Sequence, residues 1–379
     1  MNFSVSLQPL AETGGRLVSD SDFQIASYLF RVVINPVSLT AGFIGNILNI
    51  FVFVKIGVRD SMTASFLALS VTDLAYTSVS IVTTALNEVG FSRLHWPFPV
   101  IPFMLSGAIS WYKFLFYDVT VYITTYISVA RCCCVTMPLK FKDTFTVRRT
   151  VVILAIIAVG NTALRVPVLV SYGLAWRTSP FSNSSMIFIW YADHWSSVQA
   201  LHDLGSQTIL SNACLFIVLI CMVILIFKLV QASRFRRSMQ ITPGHGRECV
   251  ENSPSVPPPS PVPAHRNGMK SRDNNIRSTT PTILNARELQ IVKAVVLVAG
   301  LLLVSVLYSS VQALARRLVP QFDNDGRYRW LFAISNDVRS SLSYVNAGAN
   351  PFIYLRFNAK YRAVVTGWIR RGSPKVSRK

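Results

Sequence analysis

The chain turns apolar again and again over lengths that match a lipid bilayer. The clearest blocks lie at roughly 31–55, 62–87, 148–174, 207–231 and 289–315. A helix rises 1.5 Å per residue, so about 20 such residues cross the hydrocarbon layer. Only 14% of residues are charged, well under the roughly 25% of soluble domains. A soluble enzyme and a wholly disordered or fibrous chain are thereby excluded. The blocks run through most of the sequence, so they form one membrane domain rather than two or three soluble ones.

Two further blocks are less apolar. Residues 102–134 carry Lys113 and Asp118, and residues 330–354 are rich in Asn and Ser. Counting both gives seven spans, an all-α bundle over 31–355. Residues 1–30 are expected as an outer tail, and 356–379 as an amphipathic helix and inner tail.

The net charge of +20 follows the loops. With the N-terminus outside, 25 of the 37 Lys and Arg fall on inner segments, eight on outer ones and four within spans. Basic residues gather on the cytoplasmic side of membrane proteins, so the balance predicts N-out and C-in. The charge is topogenic and calls for no nucleic acid. MNFSVSLQPL has neither the basic nor the apolar region of a cleavable signal. The sequons at Asn2 and Asn183 both fall outside, as glycosylation at these positions requires. Residues 241–285 are rich in Pro, Ser and charge. They read as a disordered inner loop, either a spacer or a phosphorylated regulatory segment.

Ionisable and amide side chains inside spans are costly and usually face the bundle interior. Asp73 lies mid-span, and Asn46 lies in the first block. Asn336, Ser340, Ser343, Asn350 and Tyr354 share one helical face. That stripe either lines water or ligand or joins helices by hydrogen bonds. Lys113 and Arg131 are 18 residues apart, five turns, so they share a face at opposite ends of the third span, with Tyr117 and Thr120 near it. Asp118 points elsewhere.

Gly45-Asn46, the Leu-x-x-x-Asp73-Leu phrase, Arg131, and Asn350-Pro351-Phe352-Ile353-Tyr354 occur in this order across seven spans. Together they resemble the rhodopsin-like G-protein-coupled receptors over about residues 30–370. LVPQF, GRYRWLF and TMPLKFKDTFT are similar to invertebrate, molluscan-type receptors of the chemosensory-like or peptide classes. The resemblance implies a multi-pass plasma-membrane receptor, not an enzyme, that passes a signal from an extracellular peptide or small molecule to a heterotrimeric G protein. It implies that Arg131, Asn350, Pro351 and Tyr354 form the activation switch. It also implies that Asp73, Thr120, Asn346 and Asn350 hold water and a sodium ion, the one cofactor expected. Lys113, Tyr117, Ser340 and Tyr344 match pocket positions. Phe357, Tyr361, Val365 and Trp368 would be the apolar face of the short helix.

The residues depart from that pattern in places. Ala130 and Cys132 flank Arg131. None of the six Cys lies in a predicted outer segment, so the usual outer disulfide cannot form. The Cys132–Cys134 run is open to palmitoylation or to plain packing. The fourth span lacks its Trp, and the fifth its Pro and Tyr. The sixth shows Val306 and Tyr308 near its missing Trp-x-Pro. A kink at Pro helps a helix hinge.

Lys113 needs an anion. Glu88 and Asp337 are its candidate partners within the chain, with Tyr344 able to accept a hydrogen bond. It either forms a structural pair with one of them or meets an acidic group on the ligand. A transporter or channel would use the same polar interior, but no inverted repeat or broken span is present. No HExxH, GxSxG or paired carboxylate marks an enzyme.

Overall fold

The computed structural model describes residues 17–91, 98–178, 185–240 and 286–372. Asn2, Asn183 and the 241–285 segment lie outside these residues.

Helix α1 is continuous from Asp20 to Ile56, with a π-helical turn at Leu29–Ile34. It starts well before the expected 31. Ser19 caps it, its Oγ accepting from the Asp22 amide at 3.1 Å, and Asp20 and Asp22 face the positive helix end. A reading by hydropathy alone passes over that polar start. At ~1.5 Å per residue the helix exceeds the bilayer, so its first turns stand clear and pack on a neighbour. Phe23 stacks on Trp330 at 4.2 Å, and Trp330 Nε1 donates to Asp20 at 2.6 Å.

Then follow α2 (Ser61–Phe91), α3 (Pro102–Thr136), the short α4 (Pro138–Thr144) and α5 (Val147–Val170). Helix α6 runs through Trp195–His202, a π-helical stretch Asp203–Leu210, and Ser211–Gln240. Helices α7 (Ala286–Leu318), α8 (Arg329–Phe357) and α9 (Ala359–Gly372) complete the chain. Six of the long helices are apolar enough to cross a membrane; α8 is not. It joins the bundle because its polar side chains point inward. Asn346, Asn350 and Tyr354 are all buried.

Helices α1, α2, α5, α6, α7 and α8 make a closed ring around α3, which touches α2, α5, α6 and α7. The α1–α8 contact depends on small residues. A methyl group on Gly45 would overlap the Pro351 ring, and Gly42 lies against the Gly348 backbone. Helix α9 turns back under α1. Tyr361 is fully buried there, and Val365 and Trp368 pack on the same core.

One element breaks the all-helical expectation. Strands β1 (Tyr172–Thr178) and β2 (Ser185–Tyr191) pair antiparallel, Tyr172 opposite Tyr191. Aromatic and β-branched residues favour strands, and SMIFIWY is nearly all of that kind. The hairpin is fastened to α3 without a covalent link. Ile187 N donates to Pro99 O at 2.6 Å, and Tyr172 OH donates to Ala108 O at 2.9 Å. Burial pushes the Tyr172 phenol up to about 12, so it stays a donor.

Candidate functional site

Asp73 of α2 is fully buried at the bundle centre. Thr120 of α3 donates to one carboxylate oxygen at 2.8 Å, and Asn350 of α8 to the other at 2.7 Å. One acid thus joins three helices, as the sequence reading grouped them. Asn346 is buried but makes no hydrogen bond to Asp73 among the described residues. Asn350 Oδ1 and the Tyr354 hydroxyl are buried without a hydrogen-bond partner among those residues. Pro351 lies between them, against Gly45.

A second polar line leads from this centre to α9. Asn46 donates to the carbonyls of Gly42 and Ala347 at 2.9 and 3.0 Å. Asn49 Nδ2 donates to Asn46 Oδ1 at 3.2 Å, and Tyr361 OH donates to Asn49 Oδ1 at 2.7 Å. Phe53, Phe66, Tyr354 and Tyr361 cluster around its end, with ring centroids 4.8 to 6.0 Å apart.

Arg131 sits on α3 at the α9 end of the bundle, 7% exposed. Its Nη1 lies 3.9 Å from Cys134 Sγ, a weak acceptor. Ala130 beside it is buried and offers no charge.

The pocket residues lie toward the hairpin end. Tyr76 is 5.5 Å from Tyr117 and 6.0 Å from Tyr344, ring to ring. Ser340 is half-buried on α8. Lys113 does not pair as expected. Its Nζ lies over the Phe114 ring at 5.2 Å and makes no ion pair with Glu88 or Asp337. Asp337 Oδ2 is buried without a hydrogen-bond partner among the described residues. A second cation was not foreseen. Arg339 of α8 lies over the same Phe114 ring at 5.9 Å. Its Nε, the Tyr117 hydroxyl and the Ser305 hydroxyl are buried without hydrogen-bond partners among the described residues.

The main group that sequence reasoning missed is the ion pair of Asp118 with Arg165. The two side chains are 3% and 1% exposed and in direct contact between α3 and α5. Asn161, one turn before Arg165, donates to Leu115 O at 3.0 Å and sets the register of the two helices. The signal available in the sequence is a pair of opposite ionisable residues in neighbouring spans, which spacing along one helix cannot pair.

A buried acid joining three helices, a tyrosine cluster toward the hairpin and an arginine at the far end of α3 define a membrane receptor built to link its two ends. The family model of the seven-transmembrane receptors, rhodopsin family, matches residues 45–354. The chain belongs to that family, and it is a multi-pass plasma-membrane receptor. No curated protein matches it.

Proposed function

We propose that this receptor, N-terminus outside, binds a ligand bearing an acidic group in the pocket between α3 and α8 and couples it to a heterotrimeric G protein at the α9 end. The observation that carries the ligand class is the pair of cations flanking Phe114: Lys113 and Arg339, from different helices. Lys113 makes no ion pair among the described residues. Cations at membrane depth are costly without an anion nearby, so a ligand carboxylate or phosphate would be held there, with Tyr117 and Tyr344 beside it. A monoamine would meet like charge.

Binding acts by favouring one of two bundle states. Arg131, Asn350, Pro351 and Tyr354 are assigned the switch, because Asn350 holds Asp73 and the buried Tyr354 hydroxyl and Arg131 lie toward the α9 end. The oxygens of Asp73, Thr120 and Asn350 suit a sodium ion, since a hard cation takes a carboxylate plus neutral oxygens and Asn350 Oδ1 has no other partner among the described residues. When bound, the ion would offset the buried charge.

The test is a screen of acidic peptides and small acids on cells that carry the receptor and a promiscuous G protein. A response to acids, shifted to higher concentration by Lys113→Met at equal surface expression, supports the reading. Responses confined to neutral or cationic compounds refute the ligand class.

A further inference from the structure

A groove of about 600 Å³ opens between α7, α8 and the loop that joins them. Val311 and Ala315 of α7, Val319 and Phe322 of the loop, and Leu331 and Ile334 of α8 line it. Its polar members are already committed. Tyr308 OH and Ser335 Oγ share a hydrogen bond at 3.1 Å, and Gln312 Nε2 donates to Asn336 Oδ1 at 2.9 Å. The groove therefore asks for apolar surface and no charge, unlike the site at Lys113 and Arg339. Val311, Val319 and Leu331 are 56%, 40% and 37% exposed. Exposed apolar side chains grouped in this way mark a surface that something covers.

Charge fixes the level of the groove. Arg316, next to Ala315, is paired with Asp323 of the loop at 2.8 Å. Charged groups are kept out of the hydrocarbon layer, so lipid tails are a poor cover here. The start of the chain is already in place. Leu17 lines the same groove and is itself 71% exposed. The Phe23–Trp330 stack holds the beginning of α1 against α8.

Sixteen residues precede Leu17. Among them Phe3, Val5 and Leu7 alternate with Ser4 and Ser6, so an extended chain presents the three apolar side chains on one face. From Phe3 to Leu7 such a chain spans ~13 Å, and the α7 wall from Tyr308 to Ala315 is ~10 Å long. Gly14 and Gly15 lie just before Leu17, and glycine admits the left-handed backbone that a chain reversal needs. Glu12 is the only charged side chain in residues 1–15, which suits an apolar groove.

We infer that this groove is the docking site of the chain's own N-terminal segment. Residues 3–7 lie extended across α7 and α8, with Phe3, Val5 and Leu7 inward. Held so, the segment is a resident ligand that ties together the outer ends of α1, α7 and α8. The site is independent of Lys113 and of G-protein coupling, so it is read on the receptor alone.

Photoreactive p-benzoylphenylalanine in place of Val311, in the full chain purified in nanodiscs, reports what touches the groove. Irradiation, removal of glycans and trypsin follow, and mass spectrometry identifies the adduct. Arg16 is the first basic residue, so trypsin releases residues 1–16 as one peptide. We expect that peptide on the reporter, with the undigested band keeping monomer mobility. The same reporter in place of Val223, 60% exposed on α6, should not capture it. Phe3→Ser/Val5→Ser/Leu7→Ser should lower capture to the Val223 level, and Ser4→Ala/Ser6→Ala should leave it unchanged. A lipid adduct, an adduct to a second copy of the chain, or no adduct overturns the inference. So does capture that survives the triple variant, because the segment is then near the groove only by its tether. If the triple variant does not reach the membrane, Ala315→Trp, which fills the groove, decides, and undiminished capture overturns the docking.

Discussion

Tyr361→Phe removes one oxygen from a fully buried contact. The Tyr361 hydroxyl is the donor to Asn49 Oδ1 at 2.7 Å, and both residues are 0% exposed. Phenylalanine fills the same space, so the loss is the donor alone. Asn49 Oδ1 is then a buried acceptor left unmet, which costs about 1–3 kcal/mol. Asn49→Val does more, because it strands the Tyr361 hydroxyl and also takes the donor from Asn46 Oδ1. In the double variant only the Asn46 loss remains. The two changes should therefore fall short of additivity by about 1 kcal/mol or more, since contacting groups couple on that scale. Stability read from detergent-driven unfolding of the purified receptor in mixed micelles gives the four corners of the cycle. Additive losses would mean that the hydrogen bond carries no stability and that α9 is held by its apolar face alone.

Three further outcomes follow from the same geometry. Lys113→Met should raise the half-maximal concentration of an acidic agonist about 10- to 150-fold, one charge-assisted hydrogen bond; a dose–response curve at matched surface expression checks it, and an unmoved curve removes Lys113 from the site. A membrane-impermeant reductant should leave the thermal midpoint unchanged, because hydrogen bonds at Ile187 and Tyr172 fasten the hairpin; a lower midpoint would reveal a disulfide. The Asn324 amide and then Arg316 hold Asp323 below the ordinary carboxylate range. A depressed acid contributes its stability above the ordinary value and loses it as pH falls through the folded one. The α7–α8 loop should therefore keep its Arg316 contact at mildly acid pH, as a carboxyl NMR titration of Asp323 would report.

Apolar length and one motif sufficed to read the bundle from sequence, because lipid allows so few backbone arrangements. Hydropathy could not show α8 as a span, since its polar face is turned inward; the Asn350–Tyr354 motif showed it. The grouping of Asp73, Thr120, Asn346 and Asn350 follows from the family resemblance; of these, Thr120 and Asn350 donate to Asp73. Pairings between helices were not legible. Helical spacing orders residues along one helix, but it does not say which neighbour each face meets. For that reason the sequence does not show that Asp118 meets Arg165, and it offers Lys113 two acids, Glu88 and Asp337, with which it makes no ion pair. The hairpin was overlooked because its strands lie beside spans whose apolar signal overshadows them.

The central claim is that this bundle carries a signal to a G protein through Arg131. Nucleotide exchange on purified heterotrimers of each Gα class, with the receptor in nanodiscs, tests it without a known agonist. With Arg131 in place, the wild type should speed exchange above empty discs. Ala130→Asp should slow it by placing an acid beside the arginine, and Arg131→Ala should return it to the empty-disc rate. Exchange at the empty-disc rate with every Gα class, or a rate that none of these substitutions moves, would contradict the account.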